Sequence, residues 1–264
     1  MTEVTEHTDE HAPLIEMTGA TLPSLLDSDR MIAEDVTWSL HRGEYWVIGG
    51  LHGTGKSDFI STAAGILPPI KGTYRLFGKE MPPGFVQELL PTRLRVGLVF
   101  DGGRLLGHLS VAENVALPLQ YHNDMQVENL VARVRDLLTA VEMLAVAEQH
   151  PASINRNYQQ RVGLARALGL KPEVLLLDKP LSGLDPEDAR WWLAMLDDLS
   201  KGHSIVDGKP ITIVATADDL RPWRGHARQF AVLRRKNFRV VTTPSTAEFT
   251  EESLMREMVG KDLD

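Results

Sequence analysis

The segment Gly50–Ser57 carries the most specific chemical pattern in the chain. Its letters, GLHGTGKS, fit the pattern G-x-x-x-x-G-K-[S/T] without a gap. Glycines allow backbone N–H groups to wrap around a polyphosphate, and a helix that follows directs its positive end at the same charge. Lys56 can reach the β- and γ-phosphates, and the Ser57 hydroxyl can bind Mg²⁺. The segment therefore predicts a site for ATP and Mg²⁺.

The residues expected to contact the nucleotide lie in this loop and in the first helical turn after it. They are Gly50, His52, Gly53, Thr54, Gly55, Lys56, Ser57 and Asp58. His52 is expected to act as a spacer rather than as a catalyst. A magnesium site of this kind also uses an acid at the end of a buried strand. Asp178 directly follows the all-apolar run Val174–Leu177, so Ser57 and Asp178 are candidate metal ligands.

Strand patterns alternate with helical patterns around these residues, which favours an α/β fold with a largely parallel sheet. The loop follows the buried-strand candidate Tyr45–Ile48 and precedes the helical pattern Ser57–Gly65. Further strands are predicted within residues 14–48, around a polar loop at 23–30, and at Thr73–Phe77, Arg95–Phe100, Val174–Leu177 and Ile211–Ala215. Phe230–Val241 predicts a late hairpin, and Glu248–Val259 predicts a terminal helix.

The middle of the chain has a helical pattern from Val111 to about Gly169. A set of apolar residues recurs there at spacings of three and four, which places them on one helix face. They are Val127, Leu130, Val131, Val134, Leu137, Leu138 and Val141. The resulting division is a disordered tail over residues 1–13, a nucleotide-binding core over 14–101 and 166–245, a helical subdomain over 102–165 and a C-terminal helix over 246–264.

Composition limits the classes of partner. The 264 residues carry a formal net charge of −8, with a pI near 5.6, unlike the basic surface typical of nucleic-acid binding. No cysteine is present, so disulfides and thiolate metal sites are excluded. No apolar run approaches the roughly 18–20 residues that cross a bilayer. We therefore expect no nucleic-acid partner, and a role at a membrane would require other subunits to hold the chain there.

Several segments, in the right order, resemble motifs of the ABC transporter ATPases. They are residues 98–100 and 109–115 near the Q-loop, 159–168 after the signature motif, 180–186 after the Walker B strand with the D-loop at 182–185, and 212–216 before the H-loop. The resemblance covers about residues 14–245. It implies a P-loop NTPase core of the RecA type, with a parallel sheet and an inserted helical subdomain.

Within that family, the chain is most similar to the ATPases of Mla/MCE-type lipid transporters, on Val99–Leu119 and on the ending Glu257–Gly260. The resemblance implies an ATP-binding subunit that dimerises with itself or with another ABC ATPase and joins transmembrane permease subunits. It also implies a cytoplasmic location at the inner face of the cell membrane and a lipid cargo. A soluble ABC protein acting on ribosomes or DNA is less favoured, because such proteins tend to carry two such domains or long coiled-coil inserts, and more basic surfaces.

Positions that carry the chemistry of the family are changed here. Lys179 follows the Walker B acid, where the family has the glutamate that activates water, and an ammonium cannot accept a proton. Ala217 stands at the H-loop histidine, and Asp101 stands at the Q-loop glutamine. The signature motif reads INRNY at residues 154–158, with Arg and Asn in place of its two glycines. No aromatic residue for adenine stacking lies within Thr21–Asp27.

Jointly these changes remove the base, the γ-phosphate sensor and the signature cap, while Lys56, Ser57 and Asp178 are kept. They predict a subunit that binds Mg·ATP and hydrolyses it weakly or not at all. A non-catalytic pseudo-ATPase with a structural or regulatory role is the alternative.

The changes at Asp101 and Lys179 raise a further hypothesis, that the two side chains form an ion pair in the position of the attacking water. Two alternatives stay open at this point: the two side chains changed independently, or Asp101 binds Mg²⁺ and so joins Ser57 and Asp178 as a metal candidate. Lys179 and Ala217 are taken as the degenerate Glu and His positions.

Overall fold

The computed structural model describes residues 12–27, 30–122 and 125–241, and within them it confirms the predicted α/β class. The strands are β1 (Ile15–Pro23), β2 (Met31–Leu40), β3 (Tyr45–Gly49), β4 (Lys71–Leu76), β5 (Lys79–Glu80), β6 (Val96–Val99), β7 (Val174–Leu177), β8 (Thr212–Ala217), β9 (Gln229–Arg234) and β10 (Asn237–Val241). The α-helices are α1 (Lys56–Ala63), α2 (Leu90–Arg93), α3 (Val111–His122), α4 (Val127–Ala140), α5 (Arg156–Leu168) and α6 (Pro186–Lys201).

The larger sheet has the strand order β10-β9-β3-β8-β7-β6. All pairs from β9 to β6 are parallel, and β10 joins antiparallel through the predicted hairpin, which is confirmed. Every residue of β7 is buried and apolar, as expected for a strand covered on both faces. Because β8 lies between β3 and β7, the carboxyl ends of these strands meet at one edge. The loop at 50–57 and Asp178 therefore lie at the same edge.

A second, antiparallel sheet of order β2-β1-β4-β5 packs on one face of the larger sheet together with α1. Helices α3 to α6 cover the other face. Alternation along β3 divides its side chains between the two cores, with Trp46 and Ile48 facing the antiparallel sheet and Tyr45 and Val47 facing the helices. The loop at 50–57, the predicted phosphate loop, is thus anchored by a strand that is buried on both sides.

The structure corrects the predicted helical pattern in the middle of the chain. Between α4 and α5 the chain forms 3₁₀ turns at Leu144–Val146 and Pro151–Ser153, so a continuous helical pattern over 111–169 is wrong for that stretch. The apolar face of α4 is buried only in its second half, where the helix packs on α3 and α5. Val127 and Val131, which lie on the same helix face, are 69% and 62% exposed.

Two predictions fall outside the described residues. They are the terminal helix at 246–264 and nearly all of the tail at 1–13, of which the structure describes only residues 12 and 13. Among the helices it does describe, none has both the length and the apolar character needed to cross a membrane.

Candidate functional site

The loop after β3 has the shape that its glycines permit. Gly53 and Gly55 adopt left-handed backbone conformations, with φ of 79° and 95°, and Gly55 is the N-cap of α1. A Cβ atom on Gly50 would lie 2.6 Å from Thr54 Oγ1 and 2.7 Å from the Leu233 carbonyl oxygen. The loop is therefore a backbone cradle in front of a helix N-terminus, which is the arrangement that binds phosphate groups.

Lys56 lies at the start of α1 and its side chain is only 1% exposed. Its ammonium donates hydrogen bonds to the Gly50 carbonyl oxygen at 2.6 Å and to the Leu51 carbonyl oxygen at 2.9 Å. It also forms an ion pair with Asp218 Oδ1 at 2.7 Å. Burial lowers the pKa of Lys56 from its usual value, and the carboxylate of Asp218 opposes that shift. The loop thus holds its lysine inside the curl of its own backbone.

Asp178 is almost fully buried at the end of β7 and is fixed by the neighbouring strand β8. The Thr216 hydroxyl donates to Asp178 Oδ1 at 2.8 Å, and the same hydroxyl accepts from the backbone N–H of Lys179 at 2.9 Å. The side-chain amide of Gln160 on α5 donates to the Asp178 carbonyl oxygen at 3.0 Å. Three elements therefore set the position of this carboxylate.

The donor set suits Mg²⁺, because the Ser57 hydroxyl and the Asp178 carboxylate are hard oxygen ligands. Among the residues that the structure describes, no group of three or more His, Asp or Glu side chains could bind a metal ion by itself. Magnesium at this edge would therefore depend on phosphate oxygens as well as on the protein. A role for Asp101 as a further ligand stays a prediction.

The predicted pairing of Asp101 with Lys179 is wrong. Asp101 instead forms an ion pair with Arg156, the first residue of α5. The described part of the chain shows no ion pair between Asp101 and Lys179, because β7 places Lys179 beside β8, whereas Arg156 extends over the neighbouring Gly102. Lys179 adopts a left-handed backbone conformation, with φ of 49°, and is half-buried.

The segment after β6 is clamped on α5 by its backbone. A Cβ atom on Gly103, whose φ is 74°, would lie 2.1 Å from the Gln159 carbonyl oxygen. Arg166 donates to the carbonyl oxygens of Gly103 and Arg104, at 2.7 and 3.2 Å. Asp101, the predicted Q-loop position, thus lies directly before a close backbone contact between this segment and α5.

The predicted signature segment at 154–158 carries a helix cap. Asn155 is the N-cap of α5, and its side-chain oxygen accepts from the Tyr158 N–H at 2.8 Å. The Asn157 side-chain oxygen accepts from the Trp192 indole N–H at 3.1 Å, which joins α5 to α6. Arg161 strengthens this junction through an ion pair of 2.7 Å with Asp188.

Other predicted site residues lie in or beside the loop, and two of them make hydrogen bonds that hold the loop or its neighbouring segment in place. Asp58 accepts a hydrogen bond of 2.8 Å from the Leu25 N–H, and so holds the segment at 24–27 beside α1. The Thr54 hydroxyl donates to the Leu51 carbonyl oxygen at 2.9 Å. His52 is exposed at the tip of the loop, as a spacer would be. Leu26, in the segment without an aromatic residue, is 98% exposed.

Sequence reasoning missed Asp218, which the structure brings to the loop lysine. Ala217 ends β8 and is buried, so the next residue emerges at the edge where β3 and β7 also end. An acid directly after a buried apolar strand was a usable signal, and it had identified Asp178. The parallel pairing of β8 with β3, which places Asp218 next to Lys56, could not be deduced from the local pattern.

Comparison with known proteins identifies the family of the chain. Residues 33–182 match the sequence profile of the ABC transporter family. The methionine import ATP-binding protein MetN of Rhizobium etli is 35% identical over 200 residues, which are 76% of this chain and 54% of that protein. A protein described as the probable ribonucleotide transport ATP-binding protein mkl, of Mycobacterium bovis, is 33% identical over 169 residues, which are 64% of this chain and 47% of that protein. The chain thus spans about half the length of the curated relatives it matches.

The fold has a close counterpart among solved structures. The ATP-binding cassette MJ0796, in a dimeric post-hydrolysis state bound to ADP and Pi, aligns with a TM-score of 0.76 over 87% of this chain and 100% of that chain. At 24% identity this likeness shows the shared fold. The family profile covers more than half of the chain and includes the loop at 50–57, the acid Asp178 and the strands β3 and β7 that precede them. The chain belongs to the ABC transporter family.

Proposed function

We propose that this subunit binds Mg·ATP at the edge formed by β3, β8 and β7 and serves a transporter, with weak or no hydrolysis of its own. One observation carries the proposal: the cradle at Gly50–Ser57, with its buried Lys56, and the Asp178 carboxylate converge on one edge of the sheet. The loop N–H groups and lysine suit the phosphates, and the hydroxyl and carboxylate oxygens suit the metal.

Binding of Mg·ATP by the purified protein tests the first part of the proposal. Titration calorimetry should detect binding in the wild type, and Lys56→Ala should weaken it at least about tenfold, since hydrogen bonds to charged groups contribute about 1.5–3 kcal/mol. Lys79→Ala, an exposed lysine on β5, is the matched control and should bind as the wild type does. Absence of wild-type binding at millimolar Mg·ATP would contradict the proposal.

Weak hydrolysis is supported by the chemistry of two positions. Lys179 offers an ammonium where a general base is needed, and loss of such a base typically removes about 10²- to 10⁴-fold in rate. Ala217 has only a methyl group to offer to a phosphate. Release of inorganic phosphate by the isolated protein is therefore expected to be far below ordinary turnover. A rate near 1–10 per second that disappears in Lys56→Ala would contradict this part.

Family membership supports the assembly that we propose, in which the subunit pairs with a second ABC ATPase and attaches to permease subunits at the inner face of the membrane. The second ATPase is either another copy of this chain or a different protein. Light scattering of the protein with Mg·ATP, alone and with a candidate partner, separates these cases. A homodimer doubles the mass of the isolated chain, whereas a heterodimer forms only when the partner is added.

The pseudo-ATPase is the second candidate, and the same observations at Lys179 and Ala217 favour it over a fast enzyme. A measurement of phosphate release by the complete transporter distinguishes the pseudo-ATPase from a catalytic subunit. A catalytic subunit raises turnover when partners are added, and Lys56→Ala removes that gain. A regulatory subunit shifts transport through nucleotide binding, while the partner supplies all of the turnover.

The cargo stays a prediction from the resemblance to lipid-transport ATPases. The names of the relatives point to different cargoes, methionine for MetN and ribonucleotides for mkl. A transport assay of the assembled complex with lipid and amino-acid candidates is the direct test.

A further inference from the structure

We infer that Asp218 acts as an internal competitor of the nucleotide, because its carboxylate occupies the position on Lys56 that a phosphate group must take. The inference rests on the proposed function, since it concerns the same phosphate loop. It begins from the donors of the lysine. An ammonium has three N–H donors, and three oxygens lie within 2.9 Å of Lys56 Nζ: two loop carbonyls and Asp218 Oδ1.

Only one of these three oxygens can leave without breaking the loop. The carbonyl oxygens of Gly50 and Leu51 belong to the curled backbone that forms the cradle. Asp218 Oδ1 belongs to a side chain that is 37% exposed, so its carboxylate has a path into solvent. A phosphate that takes a hydrogen bond from Lys56 must therefore displace the carboxylate of Asp218.

Apart from Lys56, few contacts in the described part of the chain hold the Asp218 carboxylate in place. Asp218 Oδ1 is buried, and within the described residues it makes no hydrogen bond that would hold it elsewhere. The next residue provides a contrast, because Asp219 accepts from the Arg221 backbone N–H at 2.9 Å and from its guanidinium at 2.6–3.0 Å. Lys56 is thus the anchor of Asp218, whereas Arg221 is the anchor of Asp219.

Because of the Lys56–Asp218 ion pair, a nucleotide that fills the cradle also replaces the counter-ion of Lys56. Lys56 is buried, and a buried cation needs an opposite charge nearby. Asp218 supplies that charge, and a bound polyphosphate would supply it in its place. Binding is then an exchange of anions on one lysine, and the exchange frees the Asp218 side chain from Lys56. The competing state reduces the apparent affinity by the fraction of molecules in which Asp218 occupies the lysine.

The test measures the affinity of the full chain for Mg·ATP, Mg·ADP and inorganic tripolyphosphate by calorimetry. Asp218→Asn should bind all three roughly three- to tenfold more tightly than the wild type, because the competing charge is gone. Asp218→Glu keeps a carboxylate and should stay close to the wild type. Asp219→Asn removes the same charge one residue away, so it controls for the general change in electrostatic potential and should also stay close to the wild type.

Thermal melting shows that the variant is folded and provides an independent readout. Without ligand, Asp218→Asn should melt below the wild type, because Lys56 loses its buried partner. With tripolyphosphate, the melting temperature of this variant should rise by more than that of Asp219→Asn. Both results together support competition.

The inference is overturned if the wild type binds Mg·ATP through Lys56 and Asp218→Asn binds it equally or more weakly. In that case the carboxylate is neutral for binding or assists it. If neither the wild type nor any variant binds Mg·ATP or tripolyphosphate, the proposed function itself fails.

Discussion

The two sides of the candidate site are built in different ways. On the loop side, Lys56 and Asp178 are almost fully buried, and backbone groups or a neighbouring strand hold them in place. On the helical side, Arg156 and Asp101 pair at the surface, with side-chain exposures of 67% and 28%. Buried charges without partners cost several kcal/mol, whereas surface pairs contribute about 0–1 kcal/mol. Removing one partner of a charged group should therefore cost far more stability on the loop side than at the Arg156–Asp101 pair on the helical side.

This difference bears on the departures from the family pattern that the sequence predicts. The predicted changes at 101 and 156 lie on the exposed pair, where a charge can be exchanged with little loss of stability. Lys56 and Asp178, which fit the pattern, lie where a change would leave a buried polar group unpaired. Lys179 and Ala217 lie between the two sides, with their backbones held at the ends of β7 and β8.

The largest effect is expected at Gly103, where the helical side is itself determined by backbone packing. Gly103→Ala places a Cβ atom 2.1 Å from the Gln159 carbonyl oxygen and forces a non-glycine residue to a φ of 74°. Overpacking and the left-handed conformation together should lower the free energy of unfolding by about 3 kcal/mol. Gly107→Ala, with no atom within 4 Å of its added Cβ, is the control in the same loop. Urea denaturation measures both, and equal stabilities would show that the clamp on α5 does not exist.

A smaller effect, confined to the affinity for metal-bound ATP, is expected on the loop side. Asp178→Asn keeps the shape of the side chain and its bond with Thr216 but removes the negative charge. Affinity for Mg·ATP should fall about tenfold, while affinity for ATP in EDTA should stay unchanged, because the carboxylate acts through the cation. Calorimetry with and without Mg²⁺ checks this. An equal loss in both conditions would show that Asp178 supports the fold of the loop rather than the metal.

The buried side of the site could be predicted from sequence because its signals are local. The glycine spacing of 50–57 specifies the cradle, and the apolar run before Asp178 specifies a strand that ends at the site. The antiparallel hairpin after residue 229 also has a local pattern. The division of the chain into core and helical subdomain stays a prediction.

The partners of the charged side chains could not be predicted, because they depend on which strands and loops are neighbours in space. The sequence raises the hypothesis of a pair between Asp101 and Lys179, but the Gly102–Gly103 turn directs Asp101 to Arg156 on α5. The partner of Asp218 is likewise not visible in the sequence, because only the parallel pairing of β8 with β3 brings this acid to Lys56. In α4, periodicity identified the helix but not how far its neighbours cover it.

The smallest effect is expected at the exposed pair on the helical side. Arg156→Ala removes the partner of Asp101 and should change the free energy of unfolding by less than about 1 kcal/mol, because water screens both charges. The effect should shrink further in 0.5 M salt, since the Debye length is then only about 4 Å. Arg161→Ala is the comparison on the same helix, and it should cost more, because Arg161 is 5% exposed and pairs with Asp188. If Arg156→Ala were as destabilising as Arg161→Ala, solvent exposure would not explain why the Asp101–Arg156 pair tolerates substitution better than the buried charges do.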